Sequence, residues 1–307
     1  MLSLFVNVVL PVFIVAGLGY VVEKRLRLPI APFNQLVLYV LMPALVFTSL
    51  LAVDFRSEEP VKIALFTVLL AVAMLAVAAA IARLASLDRV TSSALMLTAA
   101  LPNLGNYGLS VVLLAYGQEG LATGIVLLAV QSLYGIPLGI FLASSGSASW
   151  SRSLVEVFRQ PMIYAVAAAL LFNLARIPVP GFLSSALALP SQAAIPLMLL
   201  VLGMHFAGTT GIEQRGLVSV AVVTRLVIGT LVGWGLVLTL GIEGVARDVM
   251  IVGAAMPTAV FTILTATQYN ARPRFVGDVV VVSTLVSIVT VTVVLALLSG
   301  TFSLVQR

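Results

Sequence analysis

Side chains able to do chemistry are few in this chain of 307 residues, and the most telling ones sit together. The stretch Leu101–Ser110 reads LPNLGNYGLS, with one Pro, two Gly, two Asn and no charge, inside very apolar sequence. Pro102 removes a backbone donor and clashes with the preceding turn. Gly105 and Gly108 lower the cost of unusual backbone angles. The stretch therefore breaks a helix, and Asn103 and Asn106 bring amide hydrogens for a carboxylate or for freed peptide groups. A second break is expected at Met256–Thr262, where Pro257 is followed by Thr258 and Thr262. The N-terminal ends of broken helices carry partial positive charge and hold an anion without a buried Lys or Arg. The candidate substrate-binding set is Pro102, Asn103, Gly105, Asn106, Tyr107, Gln131, Pro257, Thr258, Thr262 and Ser287.

Two further residues are candidates for an anion or coupling role. Arg225 lies about nine residues into an apolar run, ~13 Å from its basic end at 1.5 Å per residue. It either meets the substrate or snorkels to the interface, and snorkelling is the favoured reading. His205 is read as an interface residue, with proton relay as the alternative. Ser283, Thr284, Ser287, Thr290 and Thr292 form a polar series that bonds its own backbone or lines the site.

Other chemistry finds no support. The chain has no cysteine and one histidine, which rules out thiolate sites and an imidazole metal cluster within one chain. None of the acids falls deep in an apolar run, where carboxylate proton relays and sodium sites place them. An enzyme is not expected, nor a cofactor or metal.

The elements that must hold these residues are membrane helices. The chain is 61% hydrophobic and 9% charged, against about 25% charged in soluble domains. Apolar runs at 3–22, 33–52, 61–82, 91–116, 120–143, 160–175, 182–207, 217–240, 246–268 and 276–299 give ten expected spans. The net charge of +5 is read as topology, with no nucleic-acid partner. Connections between odd and following even runs hold ten basic residues and the opposite side five, which puts the first set in the cytoplasm. The expected molecule is a multi-pass protein of the cell membrane, with both termini periplasmic.

The prolines repeat. Pro11, Pro29, Pro32, Pro43 and Pro102 pair in order with Pro161, Pro178, Pro180, Pro196 and Pro257, at offsets of 148 to 155. Five spans per half is an odd number, so the halves must be inverted. The expected organisation is a first repeat over 1–145, a cytoplasmic connection over 146–159 and a second repeat over 160–307. Inverted repeats with matching breaks are the architecture of secondary transporters. The patterns GIPLG (Gly135–Gly139) and GTLVG (Gly229–Gly233) read as close helix packing.

The segments YVLMPALVF (Tyr39–Phe47), LPNLGNYGLSVVLLAYG (Leu101–Gly117), QSLYG (Gln131–Gly135) and MPTAVFTILTATQYNARP (Met256–Pro273) carry a resemblance. The chain resembles the auxin efflux carrier family, which includes the plant PIN-formed carriers and bacterial carriers assigned to malonate or malate. Asn103, Gly105 and Gly108 match a bacterial Asn-x-Gly-x-x-Gly-x-Pro pattern, with Ser110 in place of its last Pro. Thr258 stands where plant members often have an amide. The short central connection looks bacterial.

The resemblance implies a ten-span, sodium/proton-antiporter-like fold, as in the NhaA type, in which runs 4 and 9 are crossover helices. Runs 1, 2, 6 and 7 would form a scaffold and dimer surface, and runs 3–5 and 8–10 a transport domain. The implied function is elevator-type transport of small organic anions by a homodimer in the lipid bilayer. A sodium-coupled symporter of the bile-acid carrier type is the alternative.

Overall fold

A computed structural model describes residues 1–144, 155, 158–207 and 211–305, with side chains as far as Ser299. Among these residues the chain is helical, without a strand. The helices are α1 (Leu2–Leu26), α2 (Ile30–Leu50), α3 (Glu59–Leu84), α4 (Arg89–Ala100), α5 (Leu104–Ala143) and α6 (Pro161–Leu174). They continue as α7 (Gly181–Ala207), α8 (Arg215–Thr239), α9 (Gly244–Ala254), α10 (Phe261–Gln268) and α11 (Pro273–Val305).

Seven of these, α1, α2, α3, α5, α7, α8 and α11, are long and apolar enough to cross a membrane. The ten expected runs therefore do not map one to one onto long helices. Run 6 is the 14-residue α6. Run 4 is broken between α4 and α5, and run 9 between α9 and α10. Runs 4 and 5 meet inside α5 at Gly117, whose φ of 65° and ψ of −150° interrupt the helix. Most of the expected connection 146–159 lies outside the described residues.

Prolines shape the long helices. Widened, π-type turns at Phe5–Val9 and Val37–Leu41 immediately precede the turns that hold Pro11 and Pro43. A proline ring crowds the carbonyl four residues before it, and a widened turn moves that carbonyl away. Pro29 and Pro180 stand directly before α2 and α7, where a missing N–H costs nothing.

The helices pack in two groups. In one, α1 lies along α7, and α2 lies along α6 and α7. In the other, α3 packs on α4, α5 and α8, α9 on α5 and α8, and α11 on α8 and α10. The α1–α7 contact is backbone on backbone. A Cβ on Gly203 would lie 1.7 Å from the Ala16 carbonyl oxygen, and one on Gly19 would lie 2.0 Å from that of Leu200. Small residues allow the close approach on which helix pairs in lipid depend. The GTLVG pattern behaves likewise, since a Cβ on Gly233 would lie 2.3 Å from the Ala254 Cβ.

Side chains close several helix ends. The Asn173 amide on α6 donates to the carbonyls of Leu50, Leu51 and Val53 at 3.2, 3.0 and 2.9 Å. At the start of α4, the Asp88 carboxylate accepts from the N–H groups of Val90 and Thr91, both at 3.0 Å. Those are orphan donors of a first helical turn. The Thr91 hydroxyl also accepts from Arg272 Nη1 at 2.5 Å, which ties α4 to the start of α11.

Candidate functional site

The two breaks lie against each other. Pro102 and Thr258 form an isolated antiparallel bridge. The Asn103 N–H donates to Pro257 O at 2.7 Å, and the Ala259 N–H donates to Leu101 O at 2.9 Å. Unpaired peptide groups cost several kcal/mol each in hydrocarbon. Here each break meets two of the freed peptide groups of the other.

That pairing frees the asparagine side chain. Asn103 is 3% exposed, and its Nδ2 has no hydrogen-bond partner. It lines a cavity of about 290 Å³. Gln131, on α5, donates from Nε2 to Pro102 O at 2.9 Å, and its buried Oε1 is also unpartnered. A buried donor and a buried acceptor left unpaired at one cavity are poised for a ligand, because an unmet polar group is costly. Leu104, Gly105 and Asn106, from the first turn of α5, line the cavity together with Phe261 at the start of α10. Two helix N-terminal ends thus border the same space, each carrying about +0.5 elementary charge.

Among the described residues the cavity walls include no Asp, Glu, Lys or Arg, and His205 is the ionisable one. His205 Nε2 lies 3.2 Å from Asn34 Nδ2, which joins the end of α7 to the start of α2. Asn34 is a lining residue that sequence reasoning missed. Its signal is the polar pair Asn34-Gln35 opening an otherwise apolar run. Ser132 and Thr265 were missed as well, since single hydroxyls are common in membrane helices.

Of the twelve candidates, Pro102, Asn103, Gly105, Asn106, Gln131 and His205 line this cavity. The other six stand behind it. Pro257 accepts the Asn103 N–H. The hydroxyl of Thr258 donates to Thr98 O at 2.9 Å, and that of Thr262 to Ala259 O at 2.6 Å. Ser287 Oγ donates to Thr284 O at 2.6 Å and lies 3.4 Å from the Tyr107 hydroxyl. Tyr107 is fully buried, edge-on to Phe13 with ring centroids 5.7 Å apart.

Arg225 corrects the snorkelling expectation. It is 0% exposed and turned inward, with Nη1 donating to Ala99 O at 2.6 Å and Nη2 to Ala254 O. The reason is local. Arg225 sits in a widened turn, Thr224–Ile228, which rotates it relative to a regular helix. A Cβ on Gly229 would lie 2.6 Å from Nη2, so glycine makes room for the guanidinium.

A second cavity, of about 600 Å³, lies elsewhere between the two helix groups and shares no lining residue with the first. Thr48, Ser49, Gln118, Ser184, Ser191 and Gln192 supply its polar wall.

The family model described as membrane transport protein matches residues 4–295, almost the whole chain. The chain belongs to this membrane transport family, that of the auxin efflux carriers. An uncharacterized transporter of Methanothermobacter thermautotrophicus is 26% identical over 287 residues, covering 92% of this chain and 94% of that one. An uncharacterized transporter of Methanocaldococcus jannaschii is 23% identical, over 84% of this chain and 86% of its own. A probable auxin efflux carrier component of Oryza sativa is 24% identical over 139 residues, 43% of this chain and 25% of that protein. Family membership makes the chain a multi-pass membrane transporter, and the paired breaks lie within the matched region.

Proposed function

We propose that the protein is a secondary active or facilitative transporter of small organic anions, with a carboxylate held at the paired breaks. The observation that carries this reading is Asn103 Nδ2, a buried and unpartnered donor where two helix N-terminal ends meet. A carboxylate there would receive the Asn103 and Asn106 amides and the positive ends of α5 and α10. Malonate, malate and auxin-like acids are the class of substrate that fits.

The transport cycle in this reading is an elevator. The chain forms ten spans in two inverted repeats, with α4–α5 and α9–α10 as crossover helices. The group of α3, α4, α5 and α8 to α11 moves against the group of α1, α2, α6 and α7, which also forms a homodimer surface. The two cavities support this, since both lie between those groups. Asn34, Gln160 and His205 border the first cavity near the more basic connections, on the cytoplasmic side by charge. Gln118 and Ser184 border the second near the less basic ones. The setting is the cell membrane, with both termini periplasmic.

Reconstituted vesicles preloaded with buffer should take up labelled malonate or malate, in competition with other small carboxylates. No accumulation of any anion across a screen of mono- and dicarboxylates would overturn the reading. A thermal-shift screen on purified protein gives the same answer by binding, because a ligand of the folded state raises its apparent stability.

A further inference from the structure

An anion site made from helix N-terminal ends has a counterpart on the same crossing. The breaks also create two helix C-terminal ends, those of α4 at Ala100 and α9 at Ala254. Each such end carries about −0.5 elementary charge, so two brought together amount to roughly −1 in a medium that screens little. The last carbonyls of each helix also lack donors within it. A cation that also donates hydrogen bonds would meet both needs. Arg225 does so with one guanidinium, which bonds Ala99 O at 2.6 Å and Ala254 O. Among the described residues no carboxylate pairs with it, so the two helix ends are its counter-charge. The donor comes from a third helix, α8, whose widened turn and Gly229 shape the space for it.

We propose, resting on the anion reading of this crossing, that Arg225 is a resident counter-cation. It occupies the place at the paired C-terminal ends that a bound metal cation would otherwise fill. The crossing therefore takes its anion, at the opposite, N-terminal ends, without sodium or potassium bound at the C-terminal ends. Arg225 is a positioning residue in this scheme; it holds the two breaks together and does not line the cavity.

The test is thermal unfolding of the purified full-length chain in choline chloride, with matched additions of sodium, potassium or guanidinium chloride at millimolar concentration. Wild type should unfold at the same temperature in all of them. Arg225→Ala should unfold about 5 °C or more lower, since two carbonyls lose their donors, and guanidinium or sodium should restore part of the loss. Arg225→Lys, which keeps the charge, should be more stable than Arg225→Gln, which keeps only hydrogen bonding. Equal stability of the Lys and Gln variants would overturn the proposal, and so would stabilisation of wild type by sodium or potassium over choline. Should every Arg225 variant fail to fold, the wild-type comparison alone still decides whether a metal cation is needed. None of these readouts involves a carboxylate. Failed anion uptake would thus overturn the proposed function and leave the counter-cation standing, and the reverse result would do the opposite.

Discussion

The backbone N–H of Asn103 bonds the carbonyl of Pro257 at 2.7 Å, across the point where both helices are broken. The main chain of Asn103 is thus spent on structure and its side chain is free for binding. A residue whose two halves do separate jobs allows the jobs to be separated by mutation.

Asn103→Ala removes a side-chain amide with no protein partner and leaves the backbone pairing in place. Thermal stability should change little. A hydrogen bond to a charged group contributes about 1.5–3 kcal/mol, so carboxylate affinity should fall roughly 10- to 100-fold. Isothermal titration with malonate, beside a melting curve, checks both halves. Normal uptake in this variant would remove Asn103 from the site.

Gln131→Leu should show the complementary pattern. It deletes the donor to Pro102 O, although the Leu104 N–H still bonds that carbonyl at 2.9 Å. The stability loss should be about 1 kcal/mol, the usual net worth of one hydrogen bond. Uptake should fall as well, since the unpartnered Oε1 is lost from the cavity wall. A variant that melts like wild type would show that Gln131 does not support the break.

Gly203→Val should be among the most damaging single changes in the chain. Any Cβ there overlaps the Ala16 carbonyl, which is backbone and cannot rotate away. Overpacking costs about 1–3 kcal/mol where side chains can adjust, and this site has less freedom than that. Gly235→Ala is the control, because its Cβ would meet nothing within 4 Å. Chemical denaturation in detergent should separate the two clearly.

Asp88 should give stability an acid limb. The Thr91 hydroxyl, and then the Thr91 N–H, hold the Asp88 carboxyl below its ordinary value. Its stabilising contribution is thus fully present above the unfolded pKa of about 3.9 and disappears as pH falls through the lower folded value. Melting temperatures measured from neutral pH downward should drop less steeply at the acid end in Asp88→Asn, which keeps a capping oxygen but does not titrate. An unchanged acid limb would show that other carboxylates govern it.

Both breaks are legible in the sequence, because Pro102 and Pro257 each sit in an apolar run with polar, uncharged neighbours. Four of the six candidates that line the cavity, Pro102, Asn103, Gly105 and Asn106, belong to the first break and are legible for the same reason. Their six companions are less readable, since Thr258, Thr262 and Ser287 satisfy backbone carbonyls, and sequence does not reveal which way a hydroxyl turns. Asn34 lies 171 residues from its partner His205, beyond any local pattern. Arg225 misleads for a geometric reason. Distance along the helix allows it to reach the interface, but a widened turn changes the direction in which its side chain points.

Gly229 offers the sharpest check on that turn. Its missing Cβ is what admits the Arg225 Nη2, which would otherwise lie 2.6 Å from it. Gly229→Ala should therefore act through the guanidinium, by displacing it from Ala254 O, and not through general crowding of the helix. If so, Gly229→Ala in an Arg225→Gln background should cost far less than in wild type. Mutations that share one partner are non-additive, with interaction energies of about 0.5–3 kcal/mol, whereas independent sites add. A double-mutant cycle on unfolding free energy measures this directly. Additive losses would mean that Gly229 serves ordinary helix packing, and that the space around Arg225 is not held open by it.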